Sequence, residues 1–218
     1  MIVVQAPYRV HGVEEVAPGL FVLSFDRNGL EFETGQYLSL GIPGHRKERE
    51  YSIYSSESDT HLAVLIKVVP EGAMSSKLVE LKQGDLLHVS GPYGYFLLKP
   101  SLDAGVPLLW IATGSGVSPF HSFASTYPVS EYHLFHGTRT LNERVLVRNF
   151  PPKSVVSCVS GESGGDFHGR VTTYLSTWEL DRSTHVFLCG NCDMIYDAFD
   201  LLQAKGVPAA QILTEVYY

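Results

Sequence analysis

Leu108-Leu109-Trp110-Ile111-Ala112-Thr113-Gly114-Ser115-Gly116-Val117-Ser118-Pro119-Phe120 is the stretch on which the fold turns. Its first five residues form a continuous apolar run, the pattern of a strand buried on both faces of a parallel sheet. Gly114 and Gly116 let the backbone turn sharply and lie close to a ligand, where a side chain would obstruct. Ser118 and Pro119 suit the first turn of a following helix, whose free N–H groups attract phosphate. Glycine pairs also occur in ordinary strand-to-helix turns. By itself the loop is therefore either a nucleotide-binding turn or a plain connection.

Downstream, apolar strands alternate with helical segments. Strands are expected at Leu108–Ala112, Glu131–Gly137, Val155–Ser160, His185–Gly190 and Gln211–Val216. Helices are expected near Val117–Ser125, Leu141–Phe150, Val171–Trp178 and Met194–Lys205. This alternation predicts βαβ units and a doubly wound parallel sheet, whose ligands bind at the carboxyl ends of the strands. A second such end is Cys189-Gly190-Asn191-Cys192-Asp193-Met194, where Cys189 is either a thiol set against a ligand ring or a buried core residue. The generic dinucleotide fingerprint fails, because Pro119 stands where Gly or Ala is wanted and no acidic ribose ligand is evident after the next strand.

Upstream the pattern is different. Short β-like runs at Leu20–Phe25, Tyr37–Leu40, Arg49–Tyr54, Leu62–Val69 and Leu86–Ser90 predict an antiparallel barrel or sandwich. One helix, Ala73–Leu81, interrupts them, and its start at Glu71–Ser76 is either an anion site or a capped connector. Lys99–Pro107 reads as an interdomain linker, dividing the chain into residues 1–100 and 101–218. In Arg49-Glu50-Tyr51-Ser52, alternate side chains share a strand face, so Arg49 and Tyr51 project together. A guanidinium can bind a diphosphate while a phenol stacks on a flat ring; ordinary cross-strand packing is the other reading.

With 44% apolar and 18% charged residues in 218, the composition is that of a soluble globular protein. No run is long and apolar enough to span a bilayer, and the N-terminus lacks the marks of a secretory signal. Three cysteines argue against a disulfide framework, which predicts a reducing, cytoplasmic setting. A net charge of −7 argues against general nucleic-acid or anionic-membrane binding. No metal site is expected.

The ordered set Arg49-x-Tyr51-Ser52, Gly114-x-Gly116-x-x-Pro119 and Cys189-Gly190-x-x-x-Met194 resembles the ferredoxin–NADP reductase superfamily over essentially the whole chain. The ending Glu215-Val216-Tyr217-Tyr218 is similar to that of the bacterial ferredoxin or flavodoxin NADP reductases. The resemblance implies a flavin-binding antiparallel β-barrel domain followed by a parallel-sheet NAD(P)-binding domain. It implies FAD, with Tyr51 on the flavin ring, Arg49 on its diphosphate and Glu50 and Ser52 beside it. Ala73, Met74 and Ser75 would complete the flavin phosphate site. Tyr218 would cover the opposite flavin face and move aside for the nicotinamide. Thr113, Gly114, Gly116, Pro119, Cys189, Gly190 and Met194 would form the nicotinamide side. Ser52, Cys189, Glu215 and Tyr218 would be the residues at the reacting rings. Hydride would pass between NAD(P)H and the flavin, and single electrons to ferredoxin or flavodoxin.

His136-Gly137-Thr138-Arg139 matches a family segment whose Arg holds the 2′-phosphate, so Thr138 and Arg139 are expected there, with Arg170 of Gly169-Arg170. Gly161 stands where a second phosphate-binding Arg is common, which leaves NADP favoured over NAD only modestly. His45-Arg46-Lys47-Glu48-Arg49 is the dense basic cluster available to an acidic electron carrier. Three cysteines exclude a plant-type iron–sulfur cluster within the chain, which needs four. An oxygenase reductase component, a flavin reductase or an electron-transfer subunit of a larger complex are alternative roles. Gly161-Glu162-Ser163-Gly164-Gly165 is a remote serine-hydrolase candidate, and Cys189-x-x-Cys192 a remote dithiol.

Overall fold

The computed structural model describes residues 7–69, 74–127 and 131–217, without the side chains of residues 100, 103 and 104. The first half consists of β1 (Tyr8–Ala17), β2 (Leu20–Asp26), β3 (Tyr37–Gly41), β4 (Glu48–Ser52), β5 (His61–Lys67), the short helix α1 (Ser75–Val79) and β6 (Leu86–Tyr93). These strands pair antiparallel in the order β4-β3-β6-β1-β2-β5. A bridge from Ile53 to Val64 joins the first and last strands and closes the barrel. Its interior is filled by Leu23, Phe25, Leu38, Leu40, Leu62, Val64, Ile66 and Leu87, the inward-facing sets that period-2 alternation supplies.

β1 was not expected from the sequence. Its register shifts between Val10 and Gly12 and again between Glu15 and Ala17, and a bulge breaks the alternation that marks a strand. The helix expected at Ala73–Leu81 is shorter, Ser75–Val79, and Ala73 lies outside the described residues. The stretch read as a linker, Lys99–Pro107, instead opens with helix α2 (Lys99–Ala104). Pro100 is tolerated in its first turn, and Gly105 ends it at φ 64. Ser101 Oγ hydrogen-bonds His185 Nδ1 at 2.8 Å, which ties this helix to the second half.

That half comprises β7 (Leu108–Thr113), a 3₁₀ turn at Gly114–Val117, α3 (Ser118–Thr126), β8 (Tyr132–Thr138), β9 (Val155–Val159), β10 (Phe167–His168), α4 (Val171–Thr177), β11 (His185–Asn191), α5 (Cys192–Ala204) and β12 (Ile212–Tyr217). Its sheet is parallel, in the order β10-β9-β8-β7-β11-β12. The helix expected over Leu141–Phe150 is a 3₁₀ run, Leu141–Val147; β-branched Val145 and Val147 disfavour an α-helix.

β7 is buried on both faces. Leu108, Trp110 and Ala112 join Phe96, Phe120, Phe123 and Phe187, together with the barrel residues Ala17, Leu20 and Leu65. Leu109 and Ile111 join Phe135, Leu188, Ala198 and Leu202 on the other side. One apolar core is thus shared by both sheets.

Chain order reverses at β7, which has β8 on one side and β11 on the other. The crevice beyond the carboxyl ends of β7 and β11 is the topological switch point, where doubly wound sheets bind their ligands. A polar face of α3 faces the chain leaving β4. Ser118 Oγ donates to Ser52 O (3.1 Å) and Ser122 Oγ to Ser55 O (2.7 Å), while the His121 ring nitrogen Nδ1 donates to Tyr54 O (2.9 Å). Ser52 is thereby held at the mouth of the crevice.

Candidate functional site

The two strand-end loops interlock because both carry glycine. A Cβ on Gly116 would lie 2.7 Å from the Cys189 carbonyl carbon and from Gly190 Cα, and closer still to Cys189 O. A Cβ on Gly190, at φ 131, would lie 2.9 Å from Thr113 O and 3.0 Å from Thr113 N. With no side chains between them, Asn191 N–H reaches Thr113 Oγ1 at 2.9 Å. The Asn191 carboxamide caps α5 by accepting from Met194 N at 3.2 Å. The Gly114 carbonyl accepts from His136 Nε2–H at 2.9 Å, and burial lowers the His136 pKa, so that ring is neutral.

Beyond these loops lies a cleft of about 900 Å³. β4 supplies Glu48 to Ser52, the barrel adds Tyr37, Lys67, Met74 and Ser75, and the sheet adds Thr113, Gly114, Gly190, Asn191, Glu215 and Tyr217. Burial raises the Tyr51 phenol to about 12, so it presents a neutral ring. Ser52 is buried, and its hydroxyl donates to the Glu215 carboxylate while accepting from Tyr217 OH at 2.6 Å. A chain of three groups therefore runs from Tyr217 through Ser52 to Glu215. Cys189, in register with Glu215 across β11 and β12, is buried behind these groups, and burial pushes its thiol pKa well up. Burial, opposed by the Ser52 hydrogen bond and reinforced by Glu50, holds Glu215 up at about 7.

A second cleft, about 630 Å³, continues from the first and is lined by Thr138, Arg139, Glu143, Gly161, Arg170 and Met194 among others. Gly161 N–H donates to Arg139 O at 2.9 Å, and a Cβ there would lie 2.5 Å from that carbonyl oxygen. A side chain at 161 is barred by backbone, which accounts for the glycine.

Most residues singled out in the sequence meet in these clefts. Arg49, Glu50, Tyr51, Ser52, Met74, Ser75, Gly190 and Glu215 line the first; Thr138, Arg139, Arg170 and Met194 line the second; Thr113 and Gly114 line both. Three do not. Cys189 is fully buried on the inward side of β11, with its thiol pKa pushed well up, so it backs the site rather than lining it. Gly116 is buried in the 3₁₀ turn and Pro119 in the first turn of α3, and both act by close packing. Ala73 and Tyr218 lie outside the described residues. Ser163 sits on exposed chain with no helix after it, unlike a nucleophile elbow.

Tyr217, Lys67, Asn191, Glu143 and His136 were missed. For Tyr217 a signal was available: it lies two residues from Glu215 on a strand, hence on the same face. Parallel pairing sets Glu215 beside Cys189 and Tyr217 beside Asn191, so both arrive at the crevice.

Residues 13–97 match the family described as an oxidoreductase FAD-binding domain. The toluate 1,2-dioxygenase electron transfer component of Pseudomonas putida is 30% identical over 222 residues, covering 95% of this chain and 65% of that protein. The flavodoxin/ferredoxin–NADP reductase of Shigella flexneri is 29% identical over 215 residues, covering 87% of this chain and 86% of that protein. A ferredoxin NADP+ reductase from Neisseria gonorrhoeae with bound FAD and NADP superposes with a TM-score of 0.87 at 22% identity, covering 98% of each chain. The chain spans 56% to 65% of the length of the oxygenase components it matches.

Proposed function

Because this chain belongs to the ferredoxin–NADP reductase superfamily, we propose that it is an FAD-dependent oxidoreductase exchanging hydride with NADPH or NADH and single electrons with a ferredoxin or flavodoxin. Residues 1–100 form the flavin half in this reading and 101–218 the coenzyme half. The observation that carries it is the Tyr217–Ser52–Glu215 chain, built from two strands beside a cleft that also holds Arg49 and Tyr51.

The cleft fits a flavin. Its volume of about 900 Å³ lies in the range of cofactor sites. Tyr51 and Tyr217 offer neutral aromatic surface for a planar ring system, and Arg49 offers a fork of donors for a diphosphate. When bound, flavin supplies hydride and single-electron chemistry; the protein supplies orientation and exclusion of water. Arg49 anchors the phosphates and Tyr51 fixes the ring plane. Ser52 Oγ offers a hydrogen bond at the ring edge, and Glu215 can take or give a proton through Ser52 near neutral pH. Tyr217 takes the gating role expected of the terminal aromatic residue, since it lines the cleft on the coenzyme side. Arg139 and Arg170 would hold a 2′-phosphate in the second cleft.

Arg46 and Lys47 are exposed just before β4 and suit an acidic carrier despite the net charge of −7, Arg49 being assigned to the flavin. Among the described residues no helix is long and apolar enough to cross a membrane; a cytoplasmic site of action is part of the proposal. A reductase component serving an oxygenase is the second reading, favoured by the 30% identity to the toluate dioxygenase and propane monooxygenase components.

The test is the visible spectrum of the purified protein, identification of the extracted flavin, and NADPH oxidation with a dye acceptor and then with ferredoxin. A colourless protein that takes up no added flavin would overturn the proposal. Replacing Tyr217 with Ser should tighten NADP+ binding about tenfold and slow its release, since a competing aromatic stack is removed. Coenzyme titration of the flavin-loaded variant reads this directly, and an unchanged Kd argues against the gate.

A further inference from the structure

Lys67, Thr113, Gly114 and Asn191 line both clefts and so mark where they meet. A dinucleotide laid from one cleft into the other crosses at these residues, and the middle of a dinucleotide is its diphosphate. An ion pair already occupies the crossing. Lys67 Nζ, on β5, lies 3.6 Å from Glu143 Oε2, in the 3₁₀ run after β8; the Glu143 side chain is only 12% exposed. The pair stands over Gly114, where a Cβ would have Lys67 Nζ at 3.6 Å and Glu143 Oε2 at 3.8 Å as its nearest neighbours. The Glu143 carboxylate is also held from below, its Oε1 accepting from Arg139 N–H at 3.4 Å.

We infer that Glu143 is a resident anion on the seat of the coenzyme diphosphate, and that binding transfers Lys67 from Glu143 to the ligand. The inference rests on the reading of the chain as a nicotinamide-coenzyme oxidoreductase. Two anions then compete for one ammonium group. When the diphosphate takes it, Glu143 loses its ion-pair partner and faces a like charge across the groove. Glu143 is thus an affinity-setting residue: it weakens coenzyme binding and shortens its residence. A site that must release its coenzyme after every turnover gains from that. Lys67 is 53% exposed, so the ammonium can follow the ligand without moving the barrel.

The test uses flavin-loaded protein titrated with NADP+ and, separately, with inorganic pyrophosphate. Glu143→Gln keeps an acceptor for Arg139 N–H and removes the charge. It should lower the Kd for both ligands by about threefold to tenfold, the scale of one partly screened charge contact. Lys67→Gln should weaken both, and adding Glu143→Gln in that background should then change little, because the contested cation is gone. Unchanged or weaker binding by Glu143→Gln overturns the inference, as does a full gain that survives in the Lys67→Gln background. If Glu143→Gln does not fold, Glu143→Asp serves the same comparison, since its shorter side chain withdraws the carboxylate from Lys67. A wild-type protein that takes up flavin yet binds neither NADP+ nor NADPH sinks the proposed function as well. Normal wild-type binding with no gain in the variant sinks this inference alone.

Discussion

Gly116→Ala is expected to cost about 3 kcal/mol or more of stability and to abolish coenzyme binding, because inserting a methyl group here overpacks fixed backbone. Its new Cβ would meet the carbonyl of Cys189 and, at 2.7 Å, Gly190 Cα. These atoms belong to the end of β11, which is paired in register with β7 on one side and β12 on the other. Neither can retreat without breaking ladder hydrogen bonds. Relief would come from separating the two strand-end loops, which breaks the Asn191 N–H to Thr113 Oγ1 bond and opens the crevice. Gly12→Ala is the control: its Cβ meets only Ser24 Oγ, at 3.8 Å, so it should be close to neutral. Denaturant midpoints for both variants and coenzyme titration of flavin-loaded Gly116→Ala decide the matter. A Gly116→Ala protein within about 1 kcal/mol of wild type would show that the loops do not need their contact.

Glu215→Gln should stabilise the flavin-free protein at pH 8, leave it unchanged near pH 4, and slow turnover. The folded carboxyl titrates at about 7 against an ordinary value of 4.5, chiefly because burial disfavours its charge. At pH 4 it is protonated in both the folded and the unfolded chain, so it costs nothing. Between those two values the unfolded state ionises first, and stability falls as pH rises. Above the folded value the full cost applies, about 3 kcal/mol from a shift of that size. Gln carries no such cost and can still accept from Ser52 Oγ. The same substitution removes the one group in the Tyr217–Ser52–Glu215 chain that titrates near neutrality. Turnover should drop on the order of 100-fold, the usual scale for a lost proton carrier. Urea unfolding at the two pH values reads the first effect, and pH–rate profiles the second. If the variant gains no stability at pH 8, or keeps a titration near 7 in its rate profile, Glu215 is not the group.

The sequence made strand and loop identities legible where burial is two-sided or glycine is obligatory. Leu108 to Ala112 is apolar at every position because β7 has a core on each face. Gly114, Gly116 and Gly190 stand where backbone approaches backbone. β1 stayed hidden because its bulge interrupts the alternation, and the start of α2 passed for a linker because Pro100 and Gly105 are linker residues as well as helix-end residues. Cys189 illustrates the limit within the site itself. Its neighbourhood was readable, but whether its thiol entered the cleft or the core depended on which face of β11 it occupied.

By itself the sequence determined that an antiparallel barrel precedes a parallel sheet and that glycine loops end two of the sheet's strands; it also brought Arg49, Tyr51, Ser52 and Glu215 forward as candidates. The first two properties are local, following from hydrophobic period and from the space a side chain needs; the candidates came forward through the family resemblance, with strand alternation setting Arg49 and Tyr51 on one face. Only the tertiary structure decided that Tyr217 joins Ser52 and Glu215, that Cys189 lies behind them, and that Lys67 meets Glu143 across the groove. Each of these contacts joins residues far apart in the chain. Strand order sets it, because β11 pairs with both β7 and β12 while the barrel leans on the same core.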